Sequence, residues 1–528
     1  MRQETVISSF SLREDYWENF EANEDDLEFL YNHLLETETP KTPGELVEIL
    51  VGERIRKEKQ EIERKRSSGG ERYLPRERYK KAQKLVFPHL AWKQGEVVSV
   101  RAGHNPELGA FEVIQVVFTD GEIREYAAGL EEHKLNEPAQ FGEDEAGLNE
   151  AYILENFRED LAAALEKSLE ANGDFVRIAG RWFPRALLVD INIGHLNLAE
   201  AVLDMAGGGP LPTNVLMEQL GLPENVNPRL LEFSMDLALQ EDGRFDEVGA
   251  SGDVSWFLQR LEPAEVLEPP FFLRYAGIDY ERSALGEEML ALERDLDDEL
   301  SPLASKYQSQ DEVNVRLIYP HWRSGTLPLS ARVRHLFPTA YESPRIRFTL
   351  IDGETGDELP AWVVRTKRYV YGLNEWYESS GFIPGSVITV ERGSRPGQVM
   401  VHSGRRRSSR EWIRTVLVGS DGGVVYAMLK QIVQSNFDER MAIAVPDTNG
   451  IDMVWERMAK EKQPFERVVT STIRELAKLN PQGHVHASEL YAALNIVRRC
   501  PPGPMLELLA SRPWFSHVGD LHYRLTET

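Results

Sequence analysis

The chain of 528 residues is long enough for several domains, and its 41% apolar and 28% charged residues are the balance of a globular protein, not of a disordered chain. A formal charge of −26 repels nucleic acid at long range unless positive charge is gathered locally, and the single cysteine, Cys500, excludes an internal disulfide framework and a cysteine-built zinc site. No run approaches the length of a membrane span, and the first residues lack the basic-then-apolar pattern of a signal peptide, so the sequence predicts a cytoplasmic protein with no membrane partner.

Residues 1–85 read as a helical N-terminal segment. An apolar patch comprises Leu27, Phe29, Leu30, Leu34 and Leu35, and a second helix starts with Thr42 as its cap, Pro43 first and Glu45 third. Charge changes sign along the way: residues 1–50 hold 13 acidic and 3 basic residues, whereas 53–93 hold 14 basic and 6 acidic. The alternating charges of Glu53 to Arg66 are those of a solvated helix face, which Ser67-Ser68-Gly69-Gly70 ends. From Arg72 to Lys81 basic and aromatic residues interleave, which suits phosphate pairing with base stacking and suits a linker as well.

Over 86–136 the period becomes that of short strands, Gly95–Arg101, Phe111–Phe118 and Ile123–Tyr126, with a turn at Thr119-Asp120-Gly121-Glu122. The Gly-x-Val-Val start at Gly95 and the Phe118-Thr119-Asp120-Gly121 hairpin resemble the small SH3-like barrels of transcription and translation factors. That resemblance implies RNA polymerase, RNA or peptide as partner and does not choose among them. A polar, acidic stretch follows, then a helix at 152–171 stopped by Asn172-Gly173-Asp174, and a strand pair at Phe175–Ile178 and Trp182–Pro184.

Residues 150–262 contain a pattern that recurs at 464–528. In the first copy a helix carrying Asn197-Leu198-Ala199-Glu200, with Asn197 as the expected cap, is followed by the Gly207-Gly208-Gly209-Pro210 turn, helices from Thr213 and Pro228, and a close at Phe245-x-x-Val248-Gly249 and Trp256. In the second, helices through Ile473–Leu476, Ser488–Leu490 and Met505–Leu508 lead to Phe515-x-x-Val518-Gly519 and a final strand at Leu521–Leu525. Three short helices closed by this turn and a strand describe a winged helix in both copies. The ending of the first resembles the HARE-type winged helix and the N-terminal domain of the bacterial RNA polymerase delta subunit. Its last helix carries Arg229, Glu232, Asp236, Glu241 and Asp242, an acidic set that favours protein contact over a DNA groove.

Residues 263–312 read as an acidic helical linker whose helix buries Met289, Leu290, Leu292 and Leu296 and turns its carboxylates to solvent. Over 313–418 strands are expected at Val315–Tyr319, Arg345–Ile351, Leu359–Val364, Val387–Glu391 and Gln398–Val401, with a hairpin at Asp352–Gly356 and a short helix from Leu373 ended by Gly381. Pro338, Asp352-Gly353, Trp362 and the Pro384-Gly385-Ser386 turn resemble the DNA-binding pseudobarrel of plant transcription factors and some restriction-enzyme recognition domains, with Ser386 in place of the usual aspartate. Residues 419–463 read as an α/β connector of helix, strand and helix.

The fold class expected is therefore α+β and multidomain: an N-terminal helical segment, an SH3-like small β-barrel, two winged-helix domains and a β-pseudobarrel. Arginine forks suit phosphates and guanine, so the nucleic-acid face is expected at Arg332, Arg334, Arg345, Arg347, Arg365, Lys367, Arg368, Arg405, Arg406, Arg407 and Arg410, joined by Arg498 and Arg499 of the more basic second winged helix. His484, His486, His517 and His522 lack metal-ligand spacing, and Cys500 reads as a small apolar filler. No phosphate loop, nucleophile elbow, zinc-protease or dinucleotide motif is present, so neither cofactor nor metal is expected. These patterns predict a non-enzymatic, transcription-associated protein that binds nucleic acid, DNA in particular, and contacts RNA polymerase or another protein through its acidic modules. The alternatives are a protein-interaction scaffold and a metal-dependent nuclease built on Asp352, Glu354 and Lys367.

Overall fold

The structure, a computed structural model, describes residues 14–67, 70–90, 93–105, 109–136, 149–222, 226–303, 310–393, 395, 398–404 and 407–526. The chain is a mixed α and β protein of two compact units, Met1–Val189 with Val226–Phe233, and Asp190–Asn225 with Ser234–Thr528. No described helix is long and apolar enough to cross a membrane.

The first unit opens with α1 (Glu14–Glu18), α2 (Glu24–Thr37) and α3 (Pro43–Ser67). Thr42 caps α3 reciprocally: its hydroxyl accepts from the Glu45 N–H at 3.3 Å while Glu45 accepts from the Thr42 N–H at 2.8 Å. Leu30 and Leu34 of α2 are buried, whereas Leu35 stays exposed. Strands β1 (Glu71–Arg72), β2 (Lys84–Phe87), β3 (Lys93–Ala102), β4 (Glu112–Phe118) and β5 (Ile123–Ala128) then form one sheet in sequence order. Its first strand lies inside the segment expected to be helical. Tyr73 and Tyr79 are buried in its core, with Tyr73 stacked on Phe87 at 4.7 Å, so the basic-aromatic run is neither a linker nor a stacking surface. The unit is completed by α4 (Glu150–Ala171), which pairs Arg158 with Glu48 of α3, and by the hairpin of β6 (Phe175–Ile178) and β7 (Arg181–Pro184).

The second unit starts with α5 (Ile193–Met205), β8 (Leu211–Pro212), α6 (Thr213–Met217), the later part of α7 (Pro228–Glu241), β9 (Phe245–Glu247) and β10 (Ser255–Leu258), with sheet order β8-β10-β9. Asn192, not Asn197, caps α5, accepting from the N–H groups of Gly194 and His195. The glycine turn is required sterically: Gly209 sits at φ +112°, where a Cβ would come 2.5 Å from the Trp256 carbonyl oxygen. Asp236 is not presented to solvent as expected. It is buried between the Thr213 hydroxyl and the Trp256 indole N–H, which donates to it at 3.1 Å.

Beyond α8 (Ala264–Leu267) and α9 (Glu287–Leu296) lie β11 (Glu312–Arg316), α10 (Tyr319–Ser324), β12 (Thr326–Pro328), β13 (Arg345–Asp352), β14 (Glu358–Val364), β15 (Tyr369–Tyr371), α11 (Asn374–Ser380), β16 (Val387–Arg392) and β17 (Val399–His402). The seven strands run in the order β11-β16-β17-β13-β14-β15-β12 and curl into a nearly closed, barrel-like sheet around Leu317, Leu327, Ile346, Leu350, Val370 and Ile388. Gly381 ends α11 in the left-handed conformation. At the turn into β16, Gly385 holds φ +94° against the backbone of Ala442, and the Ser386 hydroxyl accepts from the Ile383 N–H at 3.0 Å.

A long hairpin follows, β18 (Ser409–Val418) with β19 (Val424–Val433), then β20 (Ile443–Ala444), α12 (Thr448–Glu461), α13 (Phe465–Ala477), β21 (Val485–His486), α14 (Ala487–Val497), α15 (Pro502–Ser511), β22 (Phe515–Gly519) and β23 (His522–Leu525). The connector at 419–463 reads as opening with a helix, but Val424–Val433 is a strand. Ten consecutive pairs with β18 and burial of Tyr426 beside Val416 outweigh the helix-favouring Ala427-Met428-Leu429-Lys430-Gln431. The last six elements repeat the order of α5 to β10, and the sheet order β21-β23-β22 matches β8-β10-β9. Helices α9, α12, α13, α14 and α15 share one core, in which Cys500 is buried and its thiol pushed far above the ordinary range by burial.

Candidate nucleic-acid interface

Most of the arginines singled out from sequence bind parts of the chain itself. Arg345 pairs with Asp246 of β9 and with Glu262 at 3.1 Å, while Ser343, next to it, donates to the Glu247 carbonyl. The Arg347 N–H donates to the Val248 carbonyl at 2.8 Å, its side chain lies over Trp362 at 5.4 Å and bonds the Ala361 carbonyl, and burial lowers its pKa. Arg365 donates to the Ser343 carbonyl at 2.6 Å. These contacts, with Val248, Phe257, Trp362 and Tyr369 in a shared apolar cluster, lock the β9–β10 end of the first three-helix module onto β13 and β14. Burial, with Asp246 beside it, pushes the Glu262 carboxyl up to about 8, and burial also takes Glu247 to about 8.

A second group gathers around the acidic segment after α9. Arg332 donates to the Arg294 carbonyl at 2.6 Å and Arg368 to the Glu299 carbonyl at 2.9 Å. Arg499 is 1% exposed; its guanidinium grips Asp298 at 2.7 Å and Glu299 at 2.6 Å. Burial alone would raise the Glu299 carboxyl, but Arg499 and then His321 hold it well below the usual range. The expectation that Asp298 and Glu299 face solvent is thus corrected, as is the reading of Arg499 as a nucleic-acid contact: a guanidinium that has no access to solvent cannot reach a phosphate. Arg498 is half-buried over Phe465 and donates to the Gln463 carbonyl. Helix α15, the last helix of the second module, is itself buried from Pro502 to Leu506 and at Leu508 and Leu509.

Of the remaining expected residues, Arg334 is exposed on a 3-10 turn, Lys367 is exposed between β14 and β15, and Arg407 and Arg410 are exposed on and before β18, while Arg405 and Arg406 lie outside the described residues. The structure adds what the loop residues need. Arg410, Trp412 and Arg414 alternate along β18 and so share one face, opposite Ile432, Lys430 and Met428 of β19. Trp412 is 61% exposed, and the Lys430 ammonium lies 5.4 Å from its ring centroid. Arg414, at the inner limit of this face, pairs with Glu489 at 2.9 Å and donates to the Arg440 carbonyl; Arg440 is exposed beyond it. A flat indole beside Lys430 and on the same face as Arg410, with Arg407 preceding the strand and Arg440, which also reaches His486 and Asp520, near its inner limit, offers base stacking and phosphate pairing. Sequence reading passes over Trp412 and Lys430 because the two pair only through the hairpin; the Arg410-x-Trp412-x-Arg414 alternation was their only local signal.

The carboxylates of the nuclease alternative are occupied by turn geometry. Asp352 accepts from the Trp376 indole N–H at 3.0 Å and the Glu354 N–H at 2.9 Å, and Glu354 accepts from the N–H groups of Ser403 and Gly404. Among the described residues, Lys367, on the turn between β14 and β15, forms no ion pair with either. His484 and His486 both pack edge-on against His522, and His486 caps α14. Among the described residues, no group of three or more His, Cys, Asp or Glu side chains is arranged to hold a metal ion. Compared with protein-family models, with curated proteins and with solved structures, the chain matches none.

Proposed function

We propose that this is a non-enzymatic, transcription-associated nucleic-acid-binding protein whose contact surface is the outer half of the β18–β19 hairpin, with Arg407, Arg410, Lys430 and Arg440 on phosphates and Trp412 against a base. The observation that carries the reading is the exposed Trp412 ring with Lys430 over it and Arg410 on the same strand face, in a chain of net charge −26. A tryptophan face stacks on a base that is not already stacked in a duplex, so a single strand is the better ligand. In this reading the two repeated modules are winged helices, the 71–128 sheet is an SH3-like barrel and the seven-stranded sheet a pseudobarrel, and their helices and arginines serve mainly to hold the unit together.

Fluorescence anisotropy of a labelled oligonucleotide on the full chain tests the proposal. Trp412→Ala is expected to weaken binding by about 1–3 kcal/mol, roughly 5- to 150-fold. A variant that binds as wild type sinks the stacking claim. A second reading, a protein-docking surface, is favoured by Met428, Leu429 and Ile432, which are exposed on the same strand, an edge strand with no further strand paired to it among the described residues. It predicts a partner complex that survives nuclease and high salt.

A further inference from the structure

The turn between β14 and β15 borders a cleft of about 560 Å³, inside the size range of small-molecule sites and separate from the hairpin. Its wall carries three cations, Arg274, Lys367 and Arg368, with Tyr275, Leu273 and Leu300 supplying less polar surface. The two arginines are placed by neutral carbonyls. Arg274 donates to the Pro269 carbonyl at 3.0 Å and Arg368 to the Glu299 carbonyl at 2.9 Å, bonds that orient a guanidinium and leave its charge intact. Glu268 lies 3.5 Å from Arg274 but both are solvent-exposed, a pairing that water screens. The Glu299 carboxylate, which also borders the cleft, is already held by Arg499 and His321. The Tyr275 ring is steadied by its hydroxyl, which accepts from the Ile278 N–H at 2.9 Å. Arg368 keeps a left-handed φ of +59° and is fixed there by the Leu329 N–H bonding its carbonyl at 2.8 Å.

We infer that this cleft binds a small phosphorylated ligand with a planar ring, the chemistry of a mononucleotide, with Arg274, Lys367 and Arg368 on the phosphate and Tyr275 beside the ring. Three cations around one concavity, none of them in a buried ion pair, select an anion in a chain of net charge −26, and two guanidinium forks suit phosphate oxygens. The site is independent of the hairpin, so its ligand does not depend on strand binding.

The test is isothermal titration of the full chain with AMP, adenosine and inorganic phosphate, in wild type, Lys367→Glu, Arg274→Glu and, as a control, Arg410→Glu. The expected result is saturable AMP binding, weakened about tenfold or more by Lys367→Glu and by Arg274→Glu, unchanged by Arg410→Glu, and tighter than either adenosine or phosphate alone. The inference is overturned by no saturable heat with millimolar AMP, by AMP binding that Lys367→Glu leaves unchanged, by adenosine binding as tightly as AMP, or by phosphate binding as tightly as AMP. Lys367 is exposed, so a normal melting temperature in its variants separates loss of the site from loss of the fold.

Discussion

Replacing Arg499 with methionine keeps most of the side-chain volume and removes the charge that Asp298 and Glu299 share. In the native unit the guanidinium donates to both Asp298 oxygens, at 2.8 and 2.7 Å, and to Glu299 at 2.6 Å, with all three side chains shielded from water. Removing one partner of such a buried set leaves carboxylates without a cation, which costs about 3–5 kcal/mol. Tyr491, which donates to Asp298, and His321, 3.2 Å from Glu299, remain and hold the loss near the lower end of that range. The assay is urea unfolding followed by tryptophan fluorescence, repeated from pH 7 down to pH 5. Without Arg499, burial of the Glu299 carboxyl is less opposed and it takes up a proton more readily in the folded state, so the deficit is expected to be largest at pH 7 and to shrink as pH falls. A variant within about 0.5 kcal/mol of wild type at pH 7 refutes the claim that this triad holds the acidic segment in the core.

Three further outcomes are expected. Arg345→Ala frees Asp246 and the buried Glu262 and should loosen the β9–β10 end from β13, seen as faster exchange of the Arg347 amide, which donates to the Val248 carbonyl; unchanged protection there refutes the docking role. His486 is pulled down to about 4, by burial first and then by Arg440, with His522 and Asp520 also facing it. Its folded value lies below the ordinary 6.5, so its neutral form stabilises the fold above about pH 6.5 and that contribution is lost as pH falls towards 4; His486→Asn, which keeps a cap acceptor, should flatten this part of the stability profile. Gly385→Ala places a Cβ about 2.4 Å from the Ala442 backbone at φ +94° and should lower stability by more than 1 kcal/mol in thermal unfolding.

Local grammar in the sequence located much of the fold. The Thr42–Glu45 box, the Gly381 stop and the repeated element order all depend on neighbours a few residues apart, and each is present. What the sequence could not disclose was set by distant partners. Arg499 looks like surface charge until Asp298, 201 residues away, is brought against it, and Asp236 looks like an exposed helix acid until Trp256 donates to it. Tyr73 and Tyr79 carry a nucleic-acid pattern but fill the core beneath the first sheet. The same effect emptied most of the expected arginine face, because clustered arginines are as useful for holding carbonyls and carboxylates of a large unit as for holding phosphates. Trp412 became legible only once β18 paired with β19.

The salt dependence of single-strand binding tests the central claim most directly. With Arg407, Arg410, Lys430 and Arg440 on phosphates, a plot of log affinity against log salt for the full chain should fall with a slope of about −3, at roughly 0.7 per contact. Arg410→Gln with Lys430→Gln should reduce that slope by about 1.4 while leaving the unfolding transition in place. An unchanged slope in the double variant, or no binding of the wild type at low salt, would contradict the account.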